Sequence, residues 1–346
     1  MMTTLGVGII GAGFMGQTYA KTLQSLVQGV RLVGVAEGSR APGLAAQYGI
    51  RCFPSYRDLV ACNDMDMVCI ATPHAHHAEH ALAAIHAGKH VLIDKPMACS
   101  VEACDAILAA CRENRVKCSV MYTQRKRIGF VKAKEVLDSG VLGRVLEIRS
   151  YQIVPNGINA VPKWQLEPEN LGFLFGHGIH NIDGMRALTG KEIASVFAKC
   201  RSLTGAPVEA TSDVVLTMDD GAVHYVFCSF ELPKPGFPRS EVGVRIACEK
   251  GLIDLDPYKE TRVSIEGGEW QTLAVQPPID WAGKGFLDPN RLQTYCDVIQ
   301  DLVDAIGANR EPMITGWDGR QAVAVVLAAY ESTRTGREIQ LGKLGE

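Results

Sequence analysis

The stretch from Gly8 to Gly16, GIIGAGFMG, constrains the fold more than any other part of the chain. An apolar run, Leu5–Ile10, leads into Gly11, Gly13 and Gly16 at G-x-G-x-x-G spacing, and a helical pattern, Phe14–Val27, follows. Strand, tight turn and helix in that order read as the opening of a βαβ unit. Gly11 permits the tight turn, Gly13 lets the backbone approach a ligand closely, and Gly16 lets helix and strand pack together. The helix start adds unpaired N–H groups and the positive end of the helix dipole. With Phe14 and Met15 completing the turn, the ligand this arrangement suits is a pyrophosphate, and hence a dinucleotide.

The following residues repeat the theme. Apolar runs at Arg31–Glu37, Met65–Thr72, His90–Asp94 and Lys117–Tyr122 alternate with helical patterns at Pro42–Tyr48, His76–Ala87 and Val101–Glu113. The runs are nearly continuous rather than alternating, as expected of strands covered on both faces. This predicts an α/β fold whose N-terminal part, residues 1–123, is a Rossmann domain with a doubly wound parallel sheet. The second strand ends on Glu37, about 20 residues past the turn, where a carboxylate accepts from a ribose hydroxyl. A carboxylate there repels a 2′-phosphate and favours NAD, while Arg40, three residues on, is the residue through which NADP would be held.

The texture changes after Tyr122. A helical segment, FVKAKEVLDSG, ends on Gly140, and longer alternating runs follow, among them RVLEIRSYQIV, DVVLTMDDGAVHYVFCSFEL and VGVRIACEKGLIDLD. Asp220-Gly221 is a hairpin signal. Residues 124–346 are therefore expected to form a second domain around an antiparallel sheet with one face open to solvent or a partner. Two helices, Asn290–Ile306 and Trp317–Thr335, close the chain.

Composition narrows the class. The net charge of −3 and the lack of a basic tract exclude an electrostatic attraction to nucleic acid. Eleven cysteines with no C-x-x-C pair point to a reducing cytoplasm rather than a disulfide framework, and no metal site is expected. His74, His76, His77 and His80 resemble a metal cluster only by count. The apolar N-terminus lacks the positive region of a signal peptide, and no run of about 18 apolar residues suggests a membrane span.

The segment Ala71–Ala98, ATPHAHHAEHALAAIHAGKHVLIDKPMA, resembles a signature of the Gfo/Idh/MocA oxidoreductases at Thr72-Pro73, His77, Gly88-Lys89-His90-Val91 and Asp94-Lys95-Pro96. SGVLGRVLEI and the C-terminal TGWDGRQAVAVVLAAYESTRTGREIQL are also similar to family segments, so the resemblance spans nearly the whole chain. It implies a C-terminal α/β domain with an open, mainly antiparallel sheet, and NAD(P)-dependent oxidation of a sugar or cyclitol hydroxyl or reduction of the ketone. It also implies a cofactor cleft lined by Thr72, Pro73, His77, Asp94 and Lys95. Two departures stand out. Asp94 replaces the family's usual Glu, and Gly176 stands where the family commonly has Asp, four residues before the His that here is His180.

Removing hydride from an alcohol requires loss of the hydroxyl proton, so a base must reach that oxygen. Lys95, just past a buried strand end, is the candidate to hold and polarise the oxygen, its pKa lowered by burial and raised again by Asp94. His180 is the candidate acid/base, because imidazole titrates near neutral pH. Asp183, one helical turn on, is placed to fix its tautomer. His177, beside the missing acid, is either a hydroxyl ligand or a pocket wall. Arg125, in QRKR where the family often has N-R-R-F, either faces substrate or belongs to a solvated basic turn. Trp164 is either a platform for a sugar ring or a core anchor.

These residues leave three further readings beside a polyol dehydrogenase. One is a redox-neutral lyase or hydrolase with tightly bound NAD, another a dihydrodiol dehydrogenase, and the last an NAD-binding regulator without activity. The open sheet face favours a homodimer or homotetramer.

Overall fold

A computed structural model describes residues 4–159, 161–235 and 241–342. The first strand, β1, is Leu5–Ile10, and α1, Phe14–Ser25, starts three residues later. Then come β2 (Val30–Ala36), α2 (Ala41–Tyr48), β3 (Arg51–Cys52), α3 (Tyr56–Val60), β4 (Met67–Ile70), α4 (His77–His86), β5 (His90–Ile93), α5 (Val101–Asn114) and β6 (Cys118–Val120). The strands form one parallel sheet in the order β3-β2-β1-β4-β5-β6. All residues of β4 and β6 are buried, which is why these segments read as unbroken apolar runs. Side chains start the helices: Ser55 Oγ accepts from the Asp58 N–H and Ser100 Oγ from the Ala103 N–H. The lysine of the GKHV stretch, Lys89, donates to the carbonyls of Met65 (2.8 Å) and Cys62 (3.2 Å), tying the start of β4 to the end of α4.

The next part of the chain holds α6 (Ile128–Asp138), β7 (Val145–Ile153), α7 (Ile179–Thr189), β8 (Ile193–Arg201), β9 (Thr211–Met218), β10 (Val223–Ser229), β11 (Val242–Cys248), β12 (Gly251–Leu255), β13 (Glu260–Ile265) and β14 (Gln271–Val275). Two 20-residue helices follow, α8 (Pro289–Ala308) and α9 (Gly316–Thr335), then β15 (Ile339–Gln340). The nine strands pair in the order β14-β13-β12-β11-β7-β10-β9-β8-β15. Only β7 and β10 run parallel; the other pairs are antiparallel. Gly221, at φ +85°, turns β9 into β10. One face stays open, with Leu146, Phe197, Tyr225, Leu252 and Trp270 each at least 38 % exposed.

The chain divides into two compact units, residues 1–123 with 279–320 and residues 124–278 with 321–346. This corrects the expectation of two contiguous blocks, because 279–320 returns to the Rossmann unit. Contacts inside that unit explain the return. Gln300 Oε1 accepts from the Gln28 N–H at 2.8 Å, Lys117 pairs with Glu311 at 2.6 Å, and Arg320 pairs with Asp105 at 3.0 Å. The segment lies more than 150 residues from its partners in sequence, so no local pattern announces it. No helix among the described residues is long and apolar enough to cross a membrane.

Candidate active site

The glycine turn joins β1 to α1 at the carboxyl edge of the parallel sheet, where the strand order reverses between β1 and β4. Each glycine has its own reason. Gly11 lies at φ +105°, and a Cβ there would sit 2.5 Å from the Ala71 carbonyl. A Cβ on Gly16 would sit 1.9 Å from the Gly11 carbonyl, so no side chain fits where α1 crosses the turn. A Cβ on Gly13 would meet nothing within 4 Å, so the space over this residue is open. That combination of a crowded turn and an open centre fits a pyrophosphate against backbone N–H groups. Phe14 is exposed and Met15 half-buried.

The end of β2 backs the turn. The Gly11 N–H donates to Ala36 O at 2.8 Å and the Ala12 N–H to Glu37 O at 3.0 Å. Glu37 takes up φ +66° just past the strand and accepts from the Tyr56 N–H through Oε1 at 2.9 Å. Arg40 is exposed at the start of α2.

At the ends of β4 and β5 the signature residues meet. His77 is fully buried, with Nδ1 2.7 Å from Pro96 O and Nε2 2.8 Å from Thr72 O. Its ring therefore ties the turn after β4 to the turn after β5, which differs from the expectation that it lines the cleft. A neutral ring donates to one of these two carbonyls. Burial pushes its pKa down, and Asp94 opposes that shift. Thr72 and Pro73 are half-buried, and the Thr72 hydroxyl shares a 3.0 Å hydrogen bond with His80 Nδ1. Burial drives His80 to about 4, with His76 adding to the fall, so its ring is neutral near pH 7. Among the described residues no group of three His, Cys, Asp or Glu side chains could hold a metal.

Asp94 is 9 % exposed and accepts the Lys95 N–H through Oδ1 at 3.0 Å. Beside it stands Tyr19 of α1, fully buried, whose phenol is pushed well above its usual pKa by burial and by the Asp94 charge. Sequence reasoning missed Tyr19; inside an amphipathic helix, a buried tyrosine looks like any core residue. Lys95 is half-buried. Desolvation of its ammonium lowers its pKa and Asp94 opposes this, the balance expected from its position.

In the second unit, α7 is preceded by a π-helical turn, Leu174–Gly178. It contains Gly176 and His177 and delivers the chain to His180. π-Turns concentrate at functional sites. Glu209 braces this turn: both carboxylate oxygens accept from the Leu174 N–H, at 3.2 and 3.0 Å, and Ser212 Oγ donates to it at 2.7 Å. Burial pushes the Glu209 carboxyl up, while these donors pull it back. A lone Glu ahead of a strand gave no signal of this role.

His177 stacks on Phe173, ring centroids 4.7 Å apart, with Nε2 3.3 Å from Gln165 Oε1. His180 is half-buried and lines a cavity of about 30 Å³ with Gln124, Gln152, Asn181 and Met185. Two amide oxygens in this wall, Gln124 Oε1 and Gln152 Oε1, are buried without a hydrogen-bond partner among the described residues. Asp183 is fully buried, and Arg125 holds both of its oxygens, through Nε at 2.8 Å and Nη2 at 2.5 Å. The Arg125 fork is thus turned to α7, and it was expected either to face substrate or to be solvated. Asp183 was expected to orient His180; both of its oxygens accept from Arg125. Trp164 is half-buried in a short 3₁₀ turn and its carbonyl accepts from Asn170 Nδ2 at 2.8 Å.

Comparison with known proteins agrees with this architecture. Residues 5–122 match the oxidoreductase family described as having an NAD-binding Rossmann fold, and residues 130–254 match the GFO/IDH/MocA C-terminal domain. Inositol 2-dehydrogenase 2 of Saccharopolyspora erythraea is 30 % identical over 340 residues, covering 96 % of this chain and 94 % of that protein. The scyllo-inositol 2-dehydrogenase (NAD(+)) of Bacillus subtilis is 26 % identical over 341 residues, covering 96 % and 95 %. Among solved structures, levoglucosan dehydrogenase in complex with NADH superposes with a TM-score of 0.86 at 23 % identity, covering 98 % of this chain and all of that one, a likeness of fold. The chain belongs to the GFO/IDH/MocA family of NAD-binding oxidoreductases.

Proposed function

We propose that the chain oxidises a hydroxyl of a sugar, cyclitol or related cyclic polyol with NAD, or reduces the matching ketone. The observation that carries this reading is Lys95, an amine with a lowered pKa at the sheet edge that also carries the glycine turn. Relatives named as inositol dehydrogenases, matched over almost their full length, support the polyol class.

Gly11, Gly13 and Gly16 hold the pyrophosphate, Glu37 Oε2 accepts from a ribose hydroxyl, and Thr72, Pro73, Asp94 and Lys95 border the nicotinamide end. The Glu37 carboxylate favours NAD over NADP. When bound, NAD supplies the hydride acceptor. Lys95 holds and polarises the substrate oxygen, and His180 takes its proton during oxidation and returns it during reduction. Gly176 contributes no acid, so the neighbouring His177 is the side chain left to bind a second hydroxyl.

A panel of polyols and dihydrodiols with NAD tests the reading. Stoichiometric NADH, followed by its absorbance at roughly 340 nm, is expected with a cyclic polyol. Turnover without net NADH would favour a redox-neutral lyase, and NADH from dihydrodiols alone would replace the polyol class. His180→Ala is expected to lower kcat about 100-fold while leaving NADH affinity nearly intact. Equal losses in both would remove His180 from the chemistry.

The open sheet face, with Leu146, Phe197, Tyr225, Leu252 and Trp270, supports association of identical chains. A dimer or tetramer is expected in sedimentation; a monomer at micromolar concentration would overturn this.

A further inference from the structure

The loop Ile279–Asp288, between β14 and α8, packs on the glycine turn of its own unit. The Phe286 ring meets the Phe14 ring edge to face, centroids 3.9 Å apart, and Trp281 meets Phe286 at 5.8 Å. Phe14 is the residue after Gly13, over which the space is open. These rings nevertheless face water: Phe14 is 38 % exposed, Phe286 50 % and Trp281 52 %. Three large aromatic groups left wet beside a turn shaped for a polyanion are an expensive arrangement unless a ligand covers them.

The loop is also held in one shape. Asp280 Oδ1 accepts from the Gly283 N–H at 2.8 Å, and the Asp280 carbonyl accepts from the Gly285 N–H at 2.8 Å. Asp288 caps α8 through the Asn290 N–H at 2.8 Å and accepts from the Asp280 N–H at 3.3 Å, closing the loop at its base. Arg291, 5 % exposed, fastens it to α1. Its Nη1 donates to Phe286 O at 2.6 Å and to Thr18 Oγ1 at 3.4 Å, and its guanidinium lies over the rings of Phe14, Phe286 and Tyr295. Among the described residues Arg291 has no carboxylate partner, so its bonds to α1 and to the loop are what hold this buried cation.

We propose that the loop Ile279–Asp288 forms the outer wall of the cofactor site at its pyrophosphate end, with Phe286 and Trp281 as contact residues that set how long the dinucleotide stays bound. The proposal rests on the glycine turn being the pyrophosphate cradle. A preformed wall requires little ordering on binding, so its contribution falls on the dissociation rate. Apolar rings against the ribose–pyrophosphate backbone shield it from water and strengthen the turn's N–H contacts.

The test uses the full chain with three probes: NADH, adenosine diphosphate ribose, which carries the pyrophosphate without nicotinamide, and adenosine, which carries neither. Phe286→Ala is expected to weaken NADH and adenosine diphosphate ribose about tenfold, through faster dissociation in stopped flow, and to leave adenosine within twofold. Trp281→Ala, at a more exposed site that does not endanger folding, is expected to give about a threefold effect of the same pattern. The wall is overturned if both variants keep the parent affinity for adenosine diphosphate ribose, or if adenosine weakens as much as NADH. A parent chain that binds adenosine but gains nothing from the diphosphate would sink the cradle itself, and the wall with it.

Discussion

Replacing Lys95 with alanine is expected to lower kcat by about 10³-fold while NADH affinity changes by less than about tenfold. The expectation follows from where the amine stands. Lys95 leaves β5 at the carboxyl edge of the sheet, two strands along from the glycine turn that follows β1. Its neighbour Asp94 is pinned by the Lys95 N–H, and His77 ties the turns on either side of it. An amine on so fixed a support would polarise a substrate oxygen at little cost in reorganisation, as the proposed role requires. Steady-state kinetics with a cofactor titration reads both numbers, and a drop in affinity as large as the drop in kcat would make Lys95 a cofactor residue only.

The same residue fixes the sign of a pH effect. In the proposed role Lys95 polarises the oxygen in its ammonium form, so activity is expected to fall as pH rises through its pKa. Burial has moved that pKa below the ordinary lysine value, and the Asp94 charge restrains the movement. Asp94→Asn keeps an oxygen for the Lys95 N–H but removes the restraining charge. The alkaline limb of the rate profile is therefore expected to move to lower pH. Tyr19 does not complicate the reading, because its phenol is pushed well above its usual range and stays neutral. A limb that stayed put or moved up would mean that Lys95 does not set it.

Much of the first unit was legible because a doubly covered parallel sheet writes itself into sequence as apolar runs. The run read as Leu5–Ile10 is β1 residue for residue, and the pattern read over Val101–Glu113 is α5 to within one residue. What escaped was short or distant. The strand β3 has two residues, paired with Gly34 and Val35, too few to show a period. The helix α3 has five residues, too short for a helical period to show. The π-turn at Leu174–Gly178 inserts an extra residue into a helical pattern, which periodicity alone reads as a continuous helix. In the site, residue types were legible but pairings were not. Arg125 and Asp183 lie 58 residues apart, and the choice of Arg125 for Asp183 is made by packing between the turn after β6 and α7. Phe286 reaches Phe14 across more than 270 residues, beyond any local signal.

The Arg125–Asp183 pair gives the largest expected effect on stability. Asp183→Ala is expected to destabilise the second unit by about 3–5 kcal/mol, because it removes the buried carboxylate that accepts two bonds from the Arg125 guanidinium. The side chains are 14 % and 1 % exposed, so water offers little compensation. Asp183→Asn keeps one acceptor and is expected to cost less. The decisive comparison is the double variant Arg125→Met with Asp183→Leu. It removes both charges and is expected to recover most of the loss, since breaking one side of a buried ion pair costs more than replacing both sides by apolar groups. Urea unfolding reads this in a background carrying Trp281→Phe and Trp317→Phe, where Trp164 and Trp270 report on the second unit alone. A double variant as unstable as Asp183→Ala would show that shape, and not charge, makes Asp183 necessary. If charge decides, the Arg125 pair holds the face of α7 that carries His180 by a salt bridge that adds little stability of its own.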